Sequence, residues 1–195
     1  MENNNITMKE LKEEEQYNFY QTYLIHDFPE SEVKPYDIIE ESTGQGKYIS
    51  YGFFRNLEPL GYAFMTKAKE NGGLLMDYFA VIDKHRSKGL GSSIVETIKR
   101  ELQGRYESVI IEVENPEVEM DEKKKEVRNR RIAFYLKNGF KMSNIQSRVL
   151  TDEYLIMTLE LGKELEERQV YLELQAIYQA LFGFEFFENN ICMSL

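Results

Sequence analysis

The chain has 195 residues, 42% of them hydrophobic and 30% charged, with a formal net charge of −10. That length and apolar share suit one domain with an ordinary buried core and an appended element, which excludes a disordered chain, and the acidic balance argues against non-specific nucleic-acid binding while favouring a cationic small partner. No apolar run approaches the roughly 18 to 20 residues of a membrane span, Met1–Asn5 is polar with no secretory stretch, and a single cysteine, Cys192, leaves no internal disulfide, so a cytoplasmic location is expected.

In chain order, Ile6 to Leu11 reads as a short strand. Lys12 to His26 carries Tyr17, Tyr20, Tyr23 and Leu24 at helical spacing. Pro29 and Pro35 punctuate the next stretch, with a short helix expected over Tyr36 to Glu41 before the Gly44-Gln45-Gly46 break. Lys47 to Arg55 and Leu60 to Lys67 read as a hairpin turning at Glu58-Pro59, and Asn71-Gly72-Gly73 turns the chain into a third strand, Leu74 to Ile82. From Leu90 the period changes: Ile94, Val95, Ile98 and Leu102 mark one face of a helix that Gly104 ends. Ser108 to Glu114 is the next strand, and strand, helix, strand implies a parallel crossover. Glu117 to Asn138 is charged and helical, stopped by Gly139. Phe140 to Met142 and Glu153 to Leu161 close the sheet. Lys163 to Leu181 then forms a helix with Leu174, Ile177, Tyr178 and Leu181 on one face. The expected division is a main domain over 1–161 and a helical extension over 162–195, packed on that domain or at a homodimer interface.

The most informative stretch runs from Asp77-Tyr78-Phe79-Ala80-Val81-Ile82 through Arg86-Ser87-Lys88-Gly89-Leu90-Gly91-Ser92. A strand enters a glycine-bearing turn that opens a helix, which presents free backbone N–H groups and the positive end of the helix dipole to an anion. Its spacing fits neither a Walker A loop nor a dinucleotide fingerprint.

Arg86, Gly89 and Gly91 resemble the Q/R-x-x-G-x-G/A motif of the GCN5-related N-acetyltransferase (GNAT) family, and Ala133-Phe134-Tyr135-Leu136-Lys137-Asn138-Gly139-Phe140 resembles its L-Y-E-K-x-G-F block. The resemblance covers roughly Leu60 to Leu161. It implies an α/β fold with a central mixed, mostly antiparallel sheet, flanking helices and a splayed parallel strand pair. It also implies acetyl-CoA as co-substrate, its pyrophosphate cradled by Arg86, Ser87, Lys88, Gly89, Leu90, Gly91 and Ser92. The pantetheine arm would pair with the backbone of Phe79, Ala80 and Val81, between the strands ending near Val81 and starting near Ser108. Two departures stand out: Ser87 occupies a position the family often gives to glycine, and Arg128 replaces a common asparagine, with Asn129 one position off. About ten extra residues, mostly Glu117 to Lys125, separate Glu112 from Tyr135 compared with compact relatives.

Acetyl transfer from a thioester to an amine requires a neutral amine and a stabilised leaving thiolate, with no enzyme nucleophile. Tyr135 matches the family position for the acid. Glu112, in a strand resembling the family's L-E-V, is the first choice of base, and Asp77 on the neighbouring strand is the second. The early tyrosines, Tyr17 to Tyr62, are candidates to line a pocket for a cationic acceptor, a small-molecule or peptide amine. His26 and His85 have no metal-ligand partner at useful spacing, so no metal is expected, and His85 is expected at the surface. The rival expectation is an acetyl-CoA-binding sensor or interaction module that uses the last helix and does not turn over.

Overall fold

The computed structural model describes residues 6–87 and 89–195. Strands β1 (Thr7–Glu10), β2 (Tyr48–Arg55), β3 (Glu58–Thr66), β4 (Gly73–Val81), β5 (Ser108–Glu114), β6 (Lys141–Val149), β7 (Asp152–Glu160) and β8 (Ile191–Ser194) lie in the order β1-β2-β3-β4-β5-β7-β6-β8. The sheet is mostly antiparallel, and β4 with β5 is the parallel pair, in register from Gly73–Ser108 to Leu75–Ile110. Both strands run on past that pairing, β4 to Val81 and β5 to Glu114. The fold class is the one expected from the sequence.

Two compact units make up the chain. The first comprises the residues up to Thr66 together with Met76–Leu102. Its helices are α1 (Glu13–Phe19), which continues through a π-helical segment at Tyr20–Leu24 into α2 (Ile25–Asp27), then α3 (Tyr36–Gly44) and α4 (Leu90–Leu102). Leu11, Phe19, Tyr20, Leu24, Ile39, Tyr48, Tyr62, Phe64 and Tyr78 pack together as an aromatic core. Helix α4 buries Leu90, Ile94, Val95, Ile98 and Leu102, the stripe its 3.6-residue period predicts. Gly61 on β3 is required by space: a Cβ there would lie 2.7 Å from the Ala80 carbonyl oxygen and 2.8 Å from Ile94 Cδ1.

The second unit comprises Lys67–Leu75 and Gln103–Leu195. Its helices are α5 (Glu122–Lys137), α6 (Glu167–Phe182) and α7 (Phe184–Asn190). Leu75, Ile110, Ile145, Ile156, Val170, Leu174, Ile177, Tyr178, Phe187 and Ile191 form one apolar cluster, which seats α6 against the sheet. Asp121 caps α5 by accepting from the Lys123 and Lys124 amides at 2.8 and 3.1 Å, and Gly139, at φ 89°, ends it.

Several boundaries differ from the sequence expectation. The β2–β3 hairpin turns at Asn56-Leu57, with Asn56 at φ 57°, and Glu58-Pro59 belongs to β3, where Pro59 opposes Phe54 at a register shift. The charged segment does not become helical at Glu117: a 3₁₀ turn at Pro116–Val118 comes first, and α5 starts at Glu122. Strand β6 extends to Val149, and the final residues add α7 and β8, the latter paired with β6.

The tyrosine-rich interior has a consequence for alkaline stability. Burial holds the phenols of Tyr48, Tyr62, Tyr78 and Tyr178 above the ordinary tyrosine range. In the unfolded chain they ionise near about pH 10, while in the folded chain they keep their protons, so above that pH the folded state binds more protons and stability falls as pH rises. The denaturant midpoint is expected to be level up to about pH 9 and to drop steeply beyond about pH 10, and a level midpoint through that range would contradict these burials.

Candidate active site

In the first unit, β4 delivers the chain into the glycine-bearing turn. Past Val81 a 3₁₀ turn at Asp83–His85 closes with His85 N–H donating to the Ile82 carbonyl at 2.8 Å and Arg86 N–H to the Asp83 carbonyl at 3.0 Å. Ser87 (φ 63°) and Gly89 (φ 72°) both take the left-handed conformation, and α4 starts at Leu90. Lys88 lies outside the described residues. The left-handed backbone at Ser87 gives a physical reason for glycine at that position in relatives: serine adopts it at a cost of about 1–2 kcal/mol. With Leu90, Gly91 and Ser92 in the first turn of α4, their amides precede any intrahelical acceptor and face outward along the helix axis.

Arg86 is drawn back onto the protein. Its Nε donates to the Val81 carbonyl at 2.9 Å and Nη1 to Asp83 at 3.2 Å, while Nη2 pairs with Asp27 at the end of α2. Asp27 also accepts from the Tyr62 hydroxyl at 2.9 Å. Arg86 therefore braces the turn against α2. His85 is largely covered, with its side chain 12% exposed, which corrects the expectation of a surface residue.

Asp77, also on β4, is not an open carboxylate. Lys34 Nζ donates to both its oxygens at 2.6 and 2.7 Å, and the Tyr48 hydroxyl donates to Oδ2 at 2.6 Å. The ammonium also sits 5.4 Å from the centroid of the Tyr78 ring. Backbone contacts aim Lys34 at this position, because its N–H donates to the Tyr78 hydroxyl at 2.8 Å and its carbonyl accepts from the Tyr20 hydroxyl at 3.0 Å.

In the second unit, Glu112 and Glu114 project from the same face of β5 but meet different partners. Glu112 Oε1 accepts from the Tyr178 hydroxyl on α6 and, at 3.3 Å, from Ser147 on β6. Glu114 holds Arg128 at 2.8 Å and Arg131 at 2.9 Å on α5. Arg128, which stands where the family commonly has asparagine, also donates to the Asn115 carbonyl at 2.9 Å and pairs with Glu119 at 3.0 Å, so it clamps the segment that precedes α5. Tyr135 is buried in the last turns of α5 between Phe134 and Phe140, with ring centroids at 5.2 and 5.1 Å, and burial pushes its phenol up to about 12. No group of His, Cys, Asp and Glu side chains among the described residues is arranged to hold a metal ion.

The partners of the two acids were not visible in the sequence. Lys34 sits in a loop between prolines, and Tyr178 carries only the signature of a helix-face core residue.

A family model described as an acetyltransferase (GNAT) domain matches residues 48–142. The solved structures that resemble the chain include a GNAT-family protein from Bacteroides thetaiotaomicron, at 20% identity and a TM-score of 0.73, covering 91% of this chain and 99% of that one. They also include the ribosomal-protein-S18-alanine N-acetyltransferase of Escherichia coli, at 18% identity and TM-score 0.55, covering 84% and 98%. A third is a GNAT-family acetyltransferase of Elizabethkingia anophelis with acetyl-CoA bound, at 15% identity and TM-score 0.51, covering 81% and 99%. No curated protein matches the sequence. These identities speak to the fold, and the family match speaks to the class of protein that the matched segment resembles, the acyltransferases. Residues 48–142 are similar to a GNAT acetyltransferase domain, and the solved structures show that the chain shares that fold. No helix among the described residues is long and apolar enough to cross a membrane.

Proposed function

We propose that this chain transfers the acetyl group of acetyl-CoA to a primary amine by direct attack. The observation that carries the reading is the turn between β4 and α4, where left-handed backbone at Ser87 and Gly89 leads into a first helical turn at Leu90, Gly91 and Ser92. Such amides suit a diphosphate. Residues 86–92 are assigned to the pyrophosphate, Lys88 included, and the backbone of Phe79, Ala80 and Val81 to the pantetheine arm. The E. anophelis relative, with acetyl-CoA bound, supports that ligand. Residues 1–161 are assigned to the transferase domain and 162–195 to a helical extension.

In the reaction, the amine nitrogen attacks the thioester carbonyl carbon, a C–N bond forms, and the C–S bond breaks. Glu112 accepts the proton lost by the amine and Tyr135 hydrogen-bonds the departing thiolate. Glu112 is preferred to Asp77 because both Asp77 oxygens are already engaged by the Lys34 ammonium, and one of them also by the Tyr48 hydroxyl, so that carboxylate is committed to its own neighbours. The E. coli relative is named for an alanine of a ribosomal protein, an amine acceptor, and the net charge of −10 favours a cationic one.

Titration calorimetry with acetyl-CoA, then thiol release with a panel of alkylamines, amino acids and peptide N-termini, tests the reading. Saturable binding and acceptor-stimulated thiol release are expected. Binding without acceptor-stimulated release would make the chain a sensor, and no binding would remove the assignment of the turn. Glu112→Gln is expected to remove the acid limb of the kcat/KM profile and to lower kcat/KM by about 10²-fold or more, and an unaltered profile would take the base role from Glu112.

A further inference from the structure

Helix α6, C-terminal to the segment matched by the family model, reaches the proposed base. Tyr178 is 1% exposed, and its hydroxyl donates to Glu112 Oε1. Ser147 Oγ on β6 lies 3.0 Å from that hydroxyl and 3.3 Å from the same carboxylate oxygen. Three elements thus bring two hydroxyls onto one carboxylate oxygen. The phenol is not free to turn away, because its ring lies 6.3 Å from that of Phe182 and 6.5 Å from that of Phe187, and Leu174 and Ile177 pack into the same cluster.

The chemistry of this arrangement is directional. A neutral hydroxyl donating to a carboxylate stabilises the charged form and fixes its rotamer. Burial and the Glu112 charge both hold the Tyr178 phenol well above its ordinary range, so it stays protonated and remains a donor. Tyr154 of β7 packs in the same cluster, Glu114 is taken up by Arg128 and Arg131 of α5, and Glu173 of α6 is paired with Lys69 at 2.7 Å.

We propose that Tyr178, assisted by Ser147, is a positioning residue that holds the Glu112 carboxylate in one orientation and keeps it ionised for deprotonating the acceptor, which makes the C-terminal helix part of the catalytic apparatus. The proposal rests on the reading of Glu112 as the base. Tyr178→Phe keeps the ring and its packing and removes only the donor. It is expected to move the acid limb of kcat/KM to higher pH by about one unit, with acetyl-CoA affinity unchanged. Ser147→Ala should move it in the same direction by less, and Tyr178→Phe should add nothing in a Glu112→Gln background.

A purely structural tyrosine would lower stability without moving that limb, and an unmoved limb overturns the proposal. Carbon-13 NMR titration of the Glu112 carboxyl in glutamate-labelled protein reads the same effect without turnover. Titration at the same pH in wild type and Tyr178→Phe overturns it equally. Should Tyr178→Phe fail to fold, Ser147→Ala carries both measurements. The two readings separate cleanly: if Glu112→Gln leaves the acid limb in place while Tyr178→Phe shifts the carboxyl titration, Glu112 is not the base, and Tyr178 tunes a carboxylate that does not deprotonate the acceptor.

Discussion

Tyr135→Phe is expected to lower kcat by roughly 10²-fold while leaving acetyl-CoA affinity within a factor of about two. The phenylalanine keeps the ring contacts to Phe134 and Phe140, so the last turns of α5 should fold unchanged. What is lost is the hydroxyl, and its proton affinity decides how it acts. Burial pushes the phenol up to about 12, whereas an ordinary thiol ionises at about 8.5, so full proton transfer from Tyr135 to the departing thiolate is uphill. In the proposed reaction Tyr135 would therefore serve as a fixed hydrogen-bond donor to charge that develops on sulfur as the C–S bond breaks, an interaction stronger in the transition state than in the ground state. The pH profile of the variant should keep the wild-type shape at lower amplitude. Single-turnover thiol release and calorimetry measure the two quantities. Equal turnover in both proteins removes the assigned role, and a loss of affinity matching the loss of kcat/KM would mean that the hydroxyl serves ground-state binding.

How much of the molecule is legible in the sequence depends on the range of the interactions involved. The β4–turn–α4 segment was legible because its signals are local: a β-rich run, glycine at a left-handed position, then a 3.6-residue apolar stripe. Strand β6 was mostly missed because Lys141–Val149 is polar and buries only Ile145 and Ser147, with a register shift between Met142 and Gln146 that breaks alternation. Strand β8 exists through its pairing with β6, and nothing in four residues near a chain end announces that. The first helix was read in the right place, and Tyr20 and Leu24 of its expected stripe are buried, but Tyr17 is exposed and Gln16 and Phe19 take its place on the buried face. At the candidate site the residue types were legible and their partners were not. Lys34 and Asp77 are 43 positions apart, Tyr178 and Glu112 are 66, and no local pattern ties either pair.

Lys34→Met is expected to destabilise the protein by about 3 kcal/mol, more than the removal of its partner does. The reason is the asymmetry of the pair. The Asp77 side chain is 10% exposed and fixed by its strand, so without the ammonium it stays buried as an under-compensated charge beside the Tyr48 hydroxyl. The Lys34 side chain is 21% exposed on a long flexible stem, so in Asp77→Asn the ammonium swings toward water and the cost is about 1–2 kcal/mol. The double variant Lys34→Met, Asp77→Asn should recover much of the single loss, because it removes the charge along with its partner. For a chain of this size the first change corresponds to a fall in Tm of roughly 6–12 °C. Calorimetric melts of the three variants at neutral pH give the comparison. If Lys34→Met melts no lower than Asp77→Asn, Asp77 is better solvated than its geometry implies, and its carboxylate returns as a rival to Glu112 for the acceptor's proton.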